Sequence, residues 1–402
     1  MPSDGQTNIS VNAGGSARWT LAVCGMAHAL HDGFTDLLNV LYPLLQAQFG
    51  LSYAAIGALK AVYSGAMASG QIPSGWLAGK LSGVSVLVFG TALVGVGYGL
   101  AGLTGSLYGV IAGLLIAGLG GSTQHPIAST LVAGAYPGLR SRTALGTYNF
   151  TGDVGKVALP AVFALVAASL GWRHAMLVSA AIAIVGAGAI FLSLQSAEMG
   201  AKAVKSGKAG AGDDRPRAFW LLFCIHVADS AVRSGFLIFL PFLLQAKGAD
   251  LPTIGLALSL LFAGGAAGKL VMGWLGARLG VVASVISTEM ATTALILALL
   301  PLSLTPALAL LPLVGLMLNG TSSVLYGTIP EFVKVEKRTH AFAVFYTGGS
   351  VAGATSPFLF GLLGDLIGLV PAMVGVGVLA LLTVPLVWAL RPAFRAEGPL
   401  LP

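Results

Sequence analysis

Apolar residues run through this chain in stretches long enough to cross a bilayer, and short polar clusters separate them. No Asp, Glu, Lys or Arg occurs between Lys80 and Arg140, from Met290 to Pro330, or from Leu366 to Leu390. A membrane-spanning helix needs about 20 apolar residues, so the first gap holds two helices and a tight turn near Thr104-Gly105-Ser106. Reading apolar runs against their polar breaks predicts twelve helices, near residues 18–47, 53–78, 84–104, 106–134, 143–170, 172–195, 217–246, 252–277, 281–303, 305–333, 340–368 and 370–391. One long polar segment, rich in Gly, Lys and Asp, separates the sixth from the seventh. The pattern therefore predicts a bundle of six helices over 18–195, a linker over 196–216 and a second bundle over 217–391. A disordered tail over 1–17 and a short tail over 392–402 complete the chain. The first tail is polar and Gly-rich, without the basic start and short apolar core of a signal peptide.

The two bundles repeat. His28 and His226, Pro43 and Pro241, Ile56-Gly57 and Ile254-Gly255, and Gly75-Trp76-Leu77 and Gly273-Trp274-Leu275 are each separated by 198 residues. Gly152 and Gly349, then Pro160 and Pro357, are separated by 197. So constant an offset marks a duplication of six helices. An even number of spans returns the chain to the side it left, so the halves are parallel.

Composition agrees. Of 402 residues, 56% are hydrophobic and 9% charged, against roughly 25% charged in ordinary soluble domains. So little charge excludes a conventional soluble enzyme and disorder, and two cysteines exclude a disulfide scaffold. Cys24 and Cys224 lie in apolar runs and read as buried small hydrophobes. The net charge of +7 suggests a nucleic-acid partner only until the cations are placed. Sorted by side of the membrane, fifteen Lys and Arg of loops and tails fall on one side, whereas Arg173 and Lys247 fall on the other. That bias puts both termini and the linker in the cytoplasm, so the basic excess reports topology. The remaining cations, Lys60, Lys156, Arg233 and Lys269, fall inside predicted helices.

At the end of the second helix stands Gly75-Trp76-Leu77-Ala78-Gly79-Lys80, matched in the second half by Gly273-Trp274-Leu275-Gly276-Ala277-Arg278. This resembles the loop signature of major facilitator transporters, a Gly, three residues, an Asp and then basic residues. Lys80 and Arg278 keep the basic position, while Gly79 and Ala277 stand where the family has Asp. The resemblance implies an all-α integral membrane protein of twelve transmembrane helices in two parallel six-helix repeats, the major facilitator fold, with Gly75, Lys80, Gly273 and Arg278 in gating loops. A narrower resemblance covers much of the first half. His28-Ala29-Leu30-His31-Asp32, Tyr42-Pro43-Leu44-Leu45-Gln46, Gly50-Leu51-Ser52 and Gly120-Gly121-Ser122-Thr123-Gln124-His125-Pro126 are similar to the fosmidomycin-resistance group of drug exporters. Gly152-Asp153-Val154-Gly155-Lys156-Val157-Ala158-Leu159-Pro160 resembles the Gly/Pro-rich antiporter motif expected there, interrupted by Asp153 and Lys156 where that group has uncharged residues. The resemblance implies an exporter.

A charge at the bilayer centre costs at least about 2.5–3.5 kcal/mol on insertion scales, so each needs a reason, either pairing or a transport path. The predicted third, sixth and twelfth helices hold none in their interiors. On the first helix His28, Asp32 and Asp36 recur every four residues on one face. A carboxylate stacked one turn from an imidazole can pass protons, and the alternative is a hydrogen-bond ladder holding the helix to its neighbours. Asp32 is expected to carry the coupling proton, whereas His31 points elsewhere. On the fifth helix Asp153 and Lys156 are three apart. They form either an internal ion pair or a substrate ligand, Lys156, with Asp153 as its resting counter-ion. Asp229 and Arg233 repeat the idea on the seventh helix, where the forked guanidinium suits a carboxylate, phosphonate or phosphate. Lys269 sits among glycines with room to reach inward, and His125, before Pro126, is a kink-stabilising donor or a cavity ligand. Asn319 and Tyr326 belong to a polar patch on the tenth helix, and Glu289 reads as an interfacial or packing carboxylate.

No metal is expected, because no two histidines lie at i, i+4 on one helix. No nucleotide loop or catalytic motif is found, so no cofactor and no enzymatic activity are expected. The sequence reading is a monomeric, proton-coupled secondary transporter in a bacterial inner membrane, exporting a small organic anion or drug. Binding at the midplane and rocking of one half against the other give alternating access. An importer or exchanger of a small organic anion, or a non-transporting sensor on the same fold, are the alternatives.

Overall fold

The structure, a computed structural model, describes residues 9–136, 140–194, 214–334 and 337–395. Among these residues the regular structure is all helical, with thirteen helices. The expected linker lies almost wholly outside the described residues. By contact the chain divides into two compact units. The first comprises Met1–Leu37 and Ala66–Gly207, the second Leu38–Gly65 and Lys208–Pro402.

The first unit contains most of α1 (Ile9–Phe49), the end of α2 (Tyr53–Lys80), and α3 (Gly83–Thr104), α4 (Leu107–Gly121), α5 (Gln124–Ala135), α6 (Arg140–Leu170) and α7 (Trp172–Leu194). The segment expected to be a tail over 1–17 is helical from Ile9 onward. With no Pro between Ile9 and Pro43, nothing stops α1 from extending past its apolar stretch. The turn between α3 and α4 falls where the sequence puts it. Gly105 takes φ 59°, the left-handed conformation that ends a helix, and the Ser106 hydroxyl caps α4 by accepting from the Gly109 N–H.

The predicted fourth span is broken at Ser122-Thr123 into α4 and α5. Pro126 lies in the first turn of α5, where its missing N–H costs nothing, and the Ser122 hydroxyl bonds to Ser74 at 2.9 Å. Val23, Cys24, Ala27, Leu87, Ala128, Tyr148 and Ile190 form the buried core of this unit. α1 and α6 touch backbone to backbone: a Cβ at Gly155 would lie 1.8 Å from the Ala29 carbonyl oxygen.

The second unit contains α8 (Pro216–Ala246), α9 (Leu251–Leu299), α10 (Leu304–Phe332), α11 (Arg338–Ile367), α12 (Leu369–Leu381) and α13 (Thr383–Arg395), together with the hairpin Leu38–Gly65. Two predicted spans are continuous in α9, and Gly280, at φ 78° and ψ 164°, marks the kink between them. The last predicted span is α12 followed by α13, interrupted at Leu382. Phe219, Leu222, Ile225, Leu325, Ile329 and Phe345 are central to the core. The hairpin is tied in by Asp365 of α11, whose carboxylate accepts from the Tyr53 and Ala54 N–H groups at 2.7 and 3.0 Å. It thereby caps the N-terminus of α2.

Ten segments among the described residues are long and apolar enough to span a membrane by length and composition. α1 and α2 are not among them, and α1 is the helix that carries His28, His31, Asp32 and Asp36. Cys224, expected to be buried, is exposed, while Cys24 is buried. An apolar run cannot tell a core face from a lipid face.

Candidate functional site

In the first unit, side chains from α1, α5 and α6 converge on Asp32. The carboxylate lies 3.2 Å from Lys156 Nζ, 3.4 Å from His28 Nε2 and 3.9 Å from His125 Nε2. His28 and Asp32 are stacked one helical turn apart, as their spacing predicts. Lys156 reaches them because α6 lies against α1 with glycines at the contact: a Cβ on Gly152 would stand 2.6 Å from Asp32 Oδ2 and 2.8 Å from His28 Cε1. Asp36 and Asp153 are buried on the same two helices and bear electrostatically on the Lys156 ammonium. Spacing within a single helix suggested Asp153 as the counter-ion of Lys156. The fold adds Asp32, on another helix, which no spacing rule could supply.

The orientation of His28 is fixed on two sides. Its ring stacks on Tyr148 at 4.2 Å and 18°, and Nδ1 lies 2.8 Å from the Tyr148 carbonyl oxygen. A carbonyl only accepts, so Nδ1 carries the hydrogen. The neutral ring then presents a bare Nε2 to the carboxylate. A hydrogen bond from Nε2 to Asp32 requires a second proton on the ring.

His31, read as pointing elsewhere, is buried and meets the His125 ring edge-on at 4.8 Å. His125 stands in the first turn of α5, beyond the break, with its side chain 47% exposed. Donor atoms of His28, Asp32 and His125 lie within 4.8 Å of one another, a grouping able to hold a metal ion. The spacing argument against metal looked along single helices and missed this convergence of two. The Lys156 ammonium at 3.2 Å from Asp32 already gives that carboxylate a cation.

In the second unit Arg233 Nη2 donates to Asp229 Oδ2 at 2.6 Å, an ion pair one turn apart on α8. His226 stacks on Phe345 at 4.1 Å and 11°, and Tyr326 meets it edge-on at 5.1 Å. A cavity of about 290 Å³ opens here, lined by His226, Arg233, Tyr326 and Tyr346 among others. Lys269 and Asn319 are not in its wall. Lys269 is half-buried on α9, and Asn319 donates to the Gly315 carbonyl of its own helix at 3.1 Å. Glu289, read as an interfacial or packing carboxylate, is 2% exposed and near enough to Asp229 and Arg233 to feel both charges. Its only signal in the sequence was a lone carboxylate in an apolar run.

At the ends of the second helix of each repeat, Lys80 lies over the Trp76 ring at 3.9 Å and Arg278 over Trp274 at 4.1 Å. Gly75 precedes the first pair on α2 and Gly273 the second on α9. Both tryptophans are exposed. The basic residues of the predicted gating loops thus fold back onto aromatic rings, an arrangement suited to a membrane interface.

Comparison with known proteins agrees with this architecture. The sequence profile of the Major Facilitator Superfamily matches residues 24–225 and again 219–400. A protein of Cupriavidus necator described as a probable sulfoacetate transporter, SauU, is 26% identical over 382 residues, covering 85% of this chain and 88% of that protein. Among solved structures, a bacterial homolog of the human lysosomal transporter Spinster, in an inward-facing and occupied conformation, superimposes with a TM-score of 0.81 at 17% identity. It covers 94% of this chain and 97% of that one. The nucleoside transporter NupG gives a TM-score of 0.72 at 14% identity, over 94% of this chain and 100% of that one.

Proposed function

Since the chain belongs to the Major Facilitator Superfamily, a family of membrane transporters for small organic substrates, we propose that it is a proton-coupled transporter of a small organic anion, working by alternating access in a bacterial inner membrane with both termini cytoplasmic. The observation that carries this reading is the hydrogen-bond commitment of His28. Its Nδ1–H is given to Tyr148, and its bare Nε2 faces a carboxylate already shared with Lys156. With Nε2 unprotonated, Asp32 and Lys156 neutralise each other. With a second proton on the ring, the imidazolium shares the Asp32 charge with Lys156, and the cluster as a whole gains one positive charge that favours the entry of an anion. Asp32 couples the two events, and His28 Nε2 is the atom that receives the proton. This refines the expectation that Asp32 itself carries it.

Export is supported by the similarity of the first half to fosmidomycin-resistance exporters. A second reading, proton-driven uptake, is favoured by the shared counter-ion, because one proton and one monovalent anion then bind together without net charge. The similarity to a probable sulfoacetate transporter supports an organic sulfonate or carboxylate as cargo under either direction. The deciding measurement uses proteoliposomes loaded with a pH-sensitive dye. Anion entry that acidifies the lumen means co-transport, and entry that alkalinises it means exchange. In the same vesicles Asp32→Asn and His28→Gln are expected to lose the response of transport to an imposed pH gradient. Full gradient sensitivity in Asp32→Asn would remove Asp32 from the coupling path.

A further inference from the structure

The duplication allows each charge of the first unit to be followed to its counterpart in the second. At an offset of 198, His28 corresponds to His226, Asp32 to Ser230 and Asp36 to Ser234; at 197, Tyr148 corresponds to Phe345, Gly152 to Gly349, Asp153 to Ser350 and Lys156 to Gly353. The scaffold of the site is the same in both. Each histidine stacks on the aromatic residue of the fifth span of its repeat, at 4.2 Å in one unit and 4.1 Å in the other. In each, the glycine one turn on lies so close that a Cβ would strike the imidazole, at 2.8 Å for Gly152 and 2.3 Å for Gly349. The contents differ. Three carboxylates and a lysine fill the first cradle. Three serines and a glycine replace them in the second, and all four replacements line its cavity of about 290 Å³.

The cavity is a vacancy left by substitution within a conserved frame. It lies near the small end of ligand pockets, which run from roughly 300 to 1,000 Å³. Its walls supply Arg233, whose Nη2 holds Asp229 and whose side chain remains 24% exposed. Ser230 and Ser350 add hydroxyls, and the rings of Tyr326 and Tyr346, 4.8 Å apart and inclined by 31°, form an aromatic side. A guanidinium fork with hydroxyl donors suits the oxygens of a carboxylate or sulfonate, and two tyrosine rings suit a flat or apolar organic remainder.

We propose that this serine-lined cavity of the second unit seats the oxyanionic head of the transported compound on Arg233, with its organic part against Tyr326 and Tyr346. Gly353, the counterpart of Lys156, sets the space available. The proposal rests on the reading of the protein as an organic-anion transporter and adds where the anion is recognised.

The test is thermal unfolding of the purified full chain, titrated with acetate, benzoate, methanesulfonate and benzenesulfonate, with benzyl alcohol and benzylamine as uncharged and cationic controls. The anions are expected to stabilise saturably, benzoate and benzenesulfonate at the lowest concentrations, and the controls to have no effect. Gly353→Met, which fills the cavity, and the charge-balanced pair Arg233→Gln with Asp229→Asn are each expected to raise the half-saturating concentration at least tenfold. Ser350→Ala, the mildest change, is expected to raise it severalfold and keeps the test alive if the larger substitutions fail to fold. If no anion stabilises the unsubstituted protein, the organic-anion reading itself falls. If anions stabilise it and none of the variants shifts the titration, the cavity proposal is overturned while the transporter reading stands.

Discussion

Removing the Lys156 ammonium would leave the Asp32 carboxylate in an interior whose other nearby charges include Asp36 and Asp153. Breaking a buried pair from one side is more destructive than removing both members, because the survivor keeps its desolvation cost and loses its partner. Lys156→Met alone is therefore expected to lower the unfolding midpoint, by a free energy of up to about 3 kcal/mol, and adding Asp32→Asn is expected to restore part of the loss. A double-mutant cycle by thermal unfolding measures that coupling, and additive losses would mean that the two side chains do not depend on each other. The individual residues of this cluster were legible from the cost of burying charge, which singles out Asp32, Lys156 and Arg233 in any apolar run. Their partners were legible only where both lay one turn apart on one helix, as with Asp229 and Arg233. Asp32 and Lys156 meet across α1 and α6, and His125 joins them from beyond a helix break. Periodicity describes a face of a helix without naming what lies opposite it.

At the level of helices, ends were legible where a capping side chain or a left-handed glycine fixes them. Gly105 and Ser106 stop α3 and start α4 as the sequence suggests. The break at Ser122-Thr123 escaped because hydropathy is continuous across it. The start of α9 offers a test outside the membrane. Asp250 caps this helix, its Oδ1 accepting from the Thr253 N–H at 2.9 Å. Hydrogen bonds from Thr253, side chain and backbone together, hold the Asp250 carboxyl below the usual carboxylate range. A carboxyl lowered on folding contributes stability above its unfolded pKa, near 4, and loses that contribution as the pH falls through its lower folded value. Asp250→Ala is expected to lower the unfolding midpoint at neutral pH, by an amount that shrinks below about pH 4. Asp250→Asn, whose amide oxygen also caps, should retain the stability and lose the acid dependence. Unfolding scans at several pH values distinguish them, and an Ala loss that persists unchanged into acid would show that the charge is not what Asp250 contributes.

For the molecule as a whole, duplication was the most legible feature, since a constant offset survives sequence divergence in a way that individual contacts do not. Grouping by contact was not legible. The hairpin Leu38–Gly65 belongs by sequence to the first repeat and by packing to the second unit, where Asp365 caps α2. A trans-acting cap of this kind depends on a carboxylate from α11, more than three hundred residues along the chain from the N–H groups it satisfies. Nothing local marks it. The polarity of the first helix has its own consequence for how the chain is made. α1 is not apolar enough to count among the ten spanning segments, yet the insertion machinery must handle it before the helices that follow it exist. The cation that balances Asp32 is synthesised more than a hundred residues later, on α6. Until then the carboxylate carries an uncompensated insertion cost of about 2.5–3.5 kcal/mol. Residues 18–47 expressed as an isolated segment are expected to insert poorly in a translocation assay, and Asp32→Asn is expected to raise the inserted fraction. Efficient insertion of the unsubstituted segment would show that α1 needs no help. Otherwise the Asp32 charge makes biogenesis order-dependent: α1 settles late, held in waiting until its partner on α6 has been translated.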